Sequence, residues 1–418
     1  MKFAHLSDIH LGFQKSTALQ KIEQDVFEHA LDECMSRKVD FILIPGDMFH
    51  VNIPEMRVQK FAFAKFKQVY DAGIPVYVVY GSHDFSPVSN SVIDLLAETK
   101  FITKVTKVKE STNDKIVLDF IQDKKTGTKI TGFSGLKAGK DIAYYEKLDR
   151  KSLESEPGFK IFLFHGGISE LKSGTEPEGE YMPLSLLPKG FAYYAGGHLH
   201  KFSHQKYDNY SHVVYPGTLF AGYHSDLEEN ARGLKRGFVL VEFDDTIKNI
   251  EFVTIPNTNY ELIEINAENK VAKSISTELQ TRLKQIDPAN KIVIIKVEGE
   301  LSVGKTTDID FSAIRESLAK KNALEVKINR NKLSSREYNI TPASGTNKDE
   351  IETNVFKENI GEIRLTQKEL TGDEGVKLAK RLLKDLGQPK LETERAAEYN
   401  SRIEQNAFEI LGLNKDDS

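Results

Sequence analysis

The sequence predicts an α/β fold, and three observations carry that prediction. Residues 2–6, 39–45, 74–79, 129–134, 160–164 and 191–195 are short apolar or alternating runs, the signature of strands, several of them covered on both faces. Segments with helical periodicity lie between them, and strand–helix alternation implies a largely parallel sheet. Five short motifs rich in Asp and His each follow an apolar run, where α/β folds build their sites, beyond the carboxyl ends of strands.

The elements follow in order. The first strand leads into Asp8-Ile9-His10. A helix is expected near Lys21–Arg37, with Ile22, Val26, Phe27, Ala30, Leu31 and Cys34 on one face. The second strand ends at Gly46-Asp47, and a helix is expected over Arg57–Ala72. The third strand runs into Gly81-Ser82-His83-Asp84, followed by a helix at Val92–Glu98. The last two runs end in His165-Gly166-Gly167 and Gly196-Gly197-His198-Leu199-His200. Residues 1–235 therefore read as one domain. Past Arg236 the metal-type histidines stop. Strands at Gly237–Phe243, Ile250–Ile255, Lys291–Glu298 and Ala323–Ile328, with helices at Val271–Ile286 and Phe311–Ala319, read as a smaller α/β domain over 236–333. The polar stretch 334–352 reads as a linker. Residues 353–418 hold two helical patterns, one through Val376, Ala379, Leu382, Leu383 and Leu386, the other through Ala396, Tyr399, Ile403, Ala407, Ile410 and Leu411.

Composition sets bounds. A chain of 418 residues suits two or three domains, at roughly 100–200 residues each. With 39% apolar and 28% charged residues it reads as an ordinary globular protein, and no apolar run approaches the roughly 18 residues of a membrane helix. Asp8 lies too near the start for a cleaved leader to be expected. Cys34 is the only cysteine, so no internal disulfide can form, which suits the cytoplasm or another reducing intracellular compartment. The net charge of −5 gives no general affinity for nucleic acid, so any such binding must come from a local basic surface or from metal ions.

The five motifs hold more Asp and His side chains than one cation needs. Asp8 and His10, two apart in an extended segment, point to the same side. Asp47 follows a buried run, and its carboxylate is suited to bridge two cations. Mixed carboxylate and imidazole donors favour Mn, Fe or Zn over Ca or Mg. Two such ions, roughly 3.5–4 Å apart, activate water and clamp a phosphate for in-line displacement. His5, His29, His204, His212 and His224 lack this setting and read as ordinary residues. Gly299-Glu300-Leu301-Ser302-Val303-Gly304-Lys305-Thr306 fits the phosphate-loop pattern, but the helix that pattern requires at Lys-Thr is not predicted until Phe311, so an exposed turn is expected.

The motif order resembles that of the calcineurin-like metallophosphoesterases. The longer strings His5-Leu6-Ser7-Asp8-Ile9-His10-Leu11-Gly12, Pro45-Gly46-Asp47-Met48-Phe49-His50, Tyr215-Pro216-Gly217-Thr218 and Arg236-Gly237-Phe238 are similar to the double-strand-break repair nucleases of the meiotic-recombination-eleven and SbcD family. The resemblance implies two packed β-sheets flanked by helices, a small α/β capping domain and a C-terminal helix-loop-helix. It implies two Mn²⁺ held by Asp8, His10, Asp47, Ser82, His165, His198 and His200. It makes His83 the catalytic histidine, with Asp84 orienting its ring, and His50 a second histidine that handles DNA. The family has Asn where this chain has Ser82, which implies weaker occupancy of the second metal position. The implied activity is exo- and endonucleolytic hydrolysis of DNA, double- or single-stranded, in processing double-strand breaks. The implied partners are a coiled-coil ABC-type ATPase on the C-terminal helices and a second copy of the chain, the latter consistent with the wide apolar arc Val58, Phe61, Ala62, Phe63, Phe66, Val69 and Tyr70. Gln14, Lys15, Asn52, Arg57, Ser89, Asn90, Lys137, Lys140 and Lys201 follow the motifs and are expected to grip phosphates without reading sequence. Two rival readings remain: a protein phosphatase or nucleotide phosphodiesterase, and a weakly active DNA-end scaffold. Protein phosphatases carry Asp-Arg-Gly after the second motif. Here Asp47 precedes Met48-Phe49-His50.

Overall fold

The computed structural model describes residues 1–85, 91–112, 114–135, 142–172, 181–336, 349, 352–353, 356–357, 370–391, 394 and 396–411. Ser89, Asn90, Lys137 and Lys140, and most of the expected linker, lie outside the described residues. The chain divides into two compact units: Met1–Glu264 with Arg282–Lys296 and Phe311–Asn329, and Ile265–Thr281 with Val297–Asp310 and Arg330–Ser418.

Two six-stranded sheets form the first unit. One runs in the order 247–254, 237–243, 2–5, 41–45, 76–79, 103–104, and its last four strands are parallel. The other runs 203–207, 210–215, 193–197, 160–165, 129–133, 121–122, with the middle four parallel. Strand periodicity explains how they pack. Phe41 and Leu43 point into a core shared with Ile161, Leu163, Tyr193 and Ala195 of the other sheet. Ile42 and Ile44 point the opposite way, onto the helices Thr17–Ser36 and Met56–Asp71. On the second sheet Phe162, Phe164, Tyr194 and Tyr215 face a third core. Strands buried on both faces must be apolar at every position, which is why these runs lacked alternation.

The helices lie within a few residues of their expected places. Thr17–Ser36 is capped by Ser16, whose hydroxyl accepts from the Leu19 N–H. Met56–Asp71 buries Val58, Ala62, Phe66 and Val69, while Tyr70 stays exposed. Gly237–Phe243, expected in the following domain, instead pairs antiparallel with Lys2–His5 in the first sheet. Its near-complete burial gave it a run as apolar as the central strands, but nothing in that run marked which sheet it joins.

In the second unit Leu333–Ser335 pairs in parallel with Gly299–Leu301, although residues 334 and 335 had been expected to open the linker. Gly304, at φ +88°, turns the chain, and the Lys305 N–H donates to Asp308 Oδ2 at 2.8 Å. Only a single 3₁₀ turn, Thr306–Asp308, follows. The phosphate-loop pattern therefore opens no helix, as expected. Helices Gly372–Leu386 and Ala396–Leu411 lie against each other, with the Tyr399 hydroxyl donating to the Gln388 carbonyl at 3.1 Å.

Candidate metal centre

All five motifs reach one rim of the first unit, beyond the carboxyl ends of strands from both sheets. The backbone there is unusual. Asp8, His10, Asp47 and His198 all have positive φ, at 50°, 51°, 49° and 98°. Residues other than glycine rarely adopt this region, and such strain is concentrated where side chains must be aimed at a ligand. Glycines provide the clearance. A Cβ on Gly81 would lie 2.1 Å from Asp47 Oδ1, and one on Gly222 would lie 2.3 Å from His10 Cδ2.

Three overlapping groups of donors can each hold a cation: Asp8, His10 and His200; Asp8, Asp47 and His165; and His10, His50 and His83. His10 Nε2 and His200 Nε2 face each other at 3.2 Å. His165 Nδ1 donates to the Pro45 carbonyl at 2.9 Å, which turns Nε2 toward Asp47 Oδ2, 3.2 Å away. Asp8 takes the His198 N–H on both oxygens at 3.0 Å and the Ser7 hydroxyl as well. The ring nitrogens His10 Nδ1 and His50 Nδ1 are buried without a hydrogen-bond partner. Buried polar atoms are normally satisfied, so this group of orphaned nitrogens beside two buried carboxylates fits a site that holds cations. The donor set is that of a dimetal phosphoesterase site.

The electrostatics agree. Burial holds the His10 pKa well below its ordinary value, and burial with the neighbouring His165 lowers His198 to about 4, so both rings are neutral and offer lone pairs. Burial opposes ionisation of Asp47, yet His165 and His10 outweigh it and keep the carboxylate charged. Burial likewise disfavours a charged His165, but Asp47 and Asp8 raise it to about 10. The Asp47 carboxylate thus draws positive charge to this point, while burial raises the Asp8 pKa against the pull of His165 and His200.

One residue behind the metal-facing side chains differs from the expectation. Asp84 does not orient the His83 ring. Its buried carboxylate accepts N–H groups from Met48 at 3.2 Å, Phe49 at 2.9 Å and Gly81 at 3.1 Å, tying the second and third motifs together. Burial and nearby Asp47 push its pKa up to about 7. The His83 ring is oriented by the His50 carbonyl, 2.9 Å from Nδ1, and the His83 N–H donates to Asp47 Oδ1 at 2.8 Å. His50 and His83 stack with ring centroids 4.8 Å apart. Ser82 lies between two residues that touch Asp47.

Sequence reasoning missed Asp226 and Arg236. Asp226 Oδ2 accepts from His200 Nδ1 at 2.8 Å and from the Gly222 and Tyr223 N–H groups. Arg236 is buried against Asp226 and Glu229 and donates to the His200 carbonyl. The string Arg236-Gly237-Phe238 was the only signal, and it named no role.

Of the expected phosphate-gripping residues, Lys15 is exposed near the site and its charge reaches His50. Arg57 and Lys201 are exposed but paired, with Glu55 and Glu229, each at 2.7 Å. Asn52 is half-buried, and its carbonyl accepts from the Val92 N–H at 2.9 Å. Gln14 is buried and cannot meet a ligand from solvent. His5 is a core residue, hydrogen-bonded to the Tyr193 hydroxyl. Among the described residues no helix is long and apolar enough to cross a membrane.

Residues 1–202 match the family model of the calcineurin-like phosphoesterases, and this part of the chain is a calcineurin-like metallophosphoesterase domain. More particularly, the chain is similar to archaeal proteins named DNA double-strand break repair protein Mre11. That of Sulfolobus acidocaldarius is 25% identical over 73% of this chain and 77% of its own length. That of Methanocaldococcus jannaschii is 29% identical over 65% and 70%. The metallophosphoesterase YhaO of Bacillus subtilis is 25% identical over 53% of each chain.

Proposed function

We propose that this chain is a two-metal DNA nuclease that processes double-strand breaks. The observation that carries the reading is the joining of Asp8, His10, Asp47, His165 and His200 in overlapping cation-binding groups, with His83 beside them. The naming of the archaeal relatives supports DNA as substrate. Asp8, His10, Asp47, His165, His198 and His200, with Ser82 or a water on it, would hold two Mn²⁺. Bound there, the ions would activate water and neutralise charge on the phosphate. The protein's own groups do the rest. Asp47 and Asp8 fix the positions of the imidazoles. With its Nδ1 proton donated to the His50 carbonyl, His83 acts at Nε2 as the imidazolium, whose Nε2–H would hydrogen-bond the phosphoryl group or pass its proton to the leaving oxygen. Lys15 adds local positive potential, while Asn52, Arg57, Asn90 and Lys201 are the weaker candidates for backbone contacts.

The same reading gives the chain two protein partners. Leu383, Leu386, Leu391 and Leu411 are exposed on the C-terminal helices and their connection, a surface for the coiled-coil ATPase. Val51, Ile53, Met56 and Leu95 are exposed around the helices that follow the second and third motifs, a surface for a second copy. A substrate panel with Mn²⁺ tests the function. Release of nucleotides from duplex DNA supports it. Hydrolysis confined to phosphoprotein or cyclic nucleotide, or DNA binding without cleavage, overturns it.

A further inference from the structure

A cavity lies at the chain neighbours of the Gly81–Asp84 motif. It has a volume of about 300 Å³ and is lined by Val78, Val79, Tyr80, Phe85, Phe133 and Tyr144, with Ser134, Thr106 and Lys104 at its polar edge. Val79 and Phe133 end neighbouring strands of the two sheets, so the cavity opens on the rim that carries the Asp and His motifs. Three of its lining residues, Tyr80, Phe85 and Ser134, are each one residue from a group packed at the site. Tyr80 precedes Gly81, whose backbone abuts Asp47, and Phe85 follows Asp84. Ser134 precedes Gly135, where a Cβ would come within 2.9 Å of His165 Cδ2.

The lining is chemically selective. Four aromatic rings surround it, Tyr80 against Phe85 at 6.0 Å and Phe133 against Tyr144 at 6.3 Å between centroids. Tyr144 is half exposed at the mouth. The Tyr80 hydroxyl is committed to Asp94, which Lys104 also meets at 2.6 Å. Ser134 Oγ accepts the Tyr80 N–H at 3.2 Å and pairs with Thr106 Oγ1 at 3.0 Å. A slot walled by rings, with a few hydroxyls at one edge, suits a flat heteroaromatic group.

We propose that this slot holds one unstacked nucleobase of the strand whose phosphate is at the metal centre. The inference rests on the proposed nuclease reading and deepens it. The substrate is then a strand end or single-stranded segment whose base can leave the stack. Base identity matters little, because every base offers a π-face. Holding the base beside the scissile bond fixes the phosphate without reading sequence.

The test uses the full chain and a single-stranded oligonucleotide carrying 2-aminopurine beside the scissile position, with Ca²⁺ in place of Mn²⁺. The protein has no tryptophan, so the probe's emission stands clear. The slot predicts quenching of 2-aminopurine on binding. It predicts about 5- to 150-fold weaker affinity and loss of quenching for Tyr144→Ala, with Tyr144→Phe close to the parent. An oligonucleotide abasic at that position should lose no affinity from Tyr144→Ala. Absence of quenching, or equal losses on the natural and abasic strands, overturns the slot even if DNA is cleaved. Quenching without any cleavage sustains the slot and instead contradicts the nuclease reading.

Discussion

His200 Nδ1 lies 2.8 Å from Asp226 Oδ2, and this contact turns the opposite ring nitrogen toward His10 and Asp8. Asp226 is held in turn by two backbone N–H groups and by buried Arg236. A carboxylate behind an imidazole fixes its tautomer and raises its basicity as a ligand.

Replacing that carboxylate therefore weakens metal binding without unfolding the protein. Asp226→Asn is expected to lower Mn²⁺ affinity by about 10- to 100-fold. Calorimetric titration checks the affinity, and circular dichroism checks the fold. Unchanged affinity would remove Asp226 from the site.

Ser82 offers a shorter donor than the Asn of the resembled family. Ser82→Asn is expected to raise occupancy of the second metal position and the rate of hydrolysis. Metal content after dialysis, with the rate at limiting Mn²⁺, measures both. No gain in either sinks the idea that Ser82 limits the site.

Gly81 has no room for a side chain beside Asp47. Gly81→Ala would drive a methyl group into the Asp47 carboxylate. Loss of stoichiometric metal binding is expected, by at least the 10- to 100-fold scale of a misplaced ligand contact. Parent-like metal content in a folded Gly81→Ala protein would contradict the observed packing.

His5 makes stability depend on pH. It is buried with Tyr193, and burial lowers its pKa to about 3. The folded pKa lies below the unfolded value of 6.5, so the neutral ring's contribution is complete above 6.5 and is lost as pH falls toward 3. The slope is about 1.4 kcal/mol per pH unit below 6.5. His5→Phe should flatten that part of the stability–pH curve measured in urea. A slope equal to the parent's would assign acid lability elsewhere.

The C-terminal helices form their own contacts and lie outside the metal centre's unit. Deleting residues 373–418 is expected to abolish co-purification with the ATPase and to spare metal-dependent cleavage. Retained ATPase binding would relocate that surface.

Much of this was legible in the residues, for physical reasons. Strands such as Phe41–Pro45 and Lys160–His165 are buried on both faces and so stand out as apolar runs, and the ligands follow their ends. Asp226 was not legible. It is an acid in the first turn of the short helix His224–Ala231, and only folding brings it to His200. Asp84 was placed correctly beside His83 in sequence, but its carboxylate turns inward to three backbone N–H groups. Adjacency along the chain does not fix side-chain direction. The strand Gly237–Phe243 showed the same limit: its pattern specified burial and left its neighbour open.

The central claim is tested most directly by incubating end-labelled duplex DNA with the protein and Mn²⁺ and comparing His83→Gln. The parent should release nucleotides in Mn²⁺ and none in EDTA. His83→Gln should be slower by about 10²- to 10⁴-fold, with its metal content intact. No release by Mn²⁺-loaded parent, or release undiminished in His83→Gln, would contradict the account.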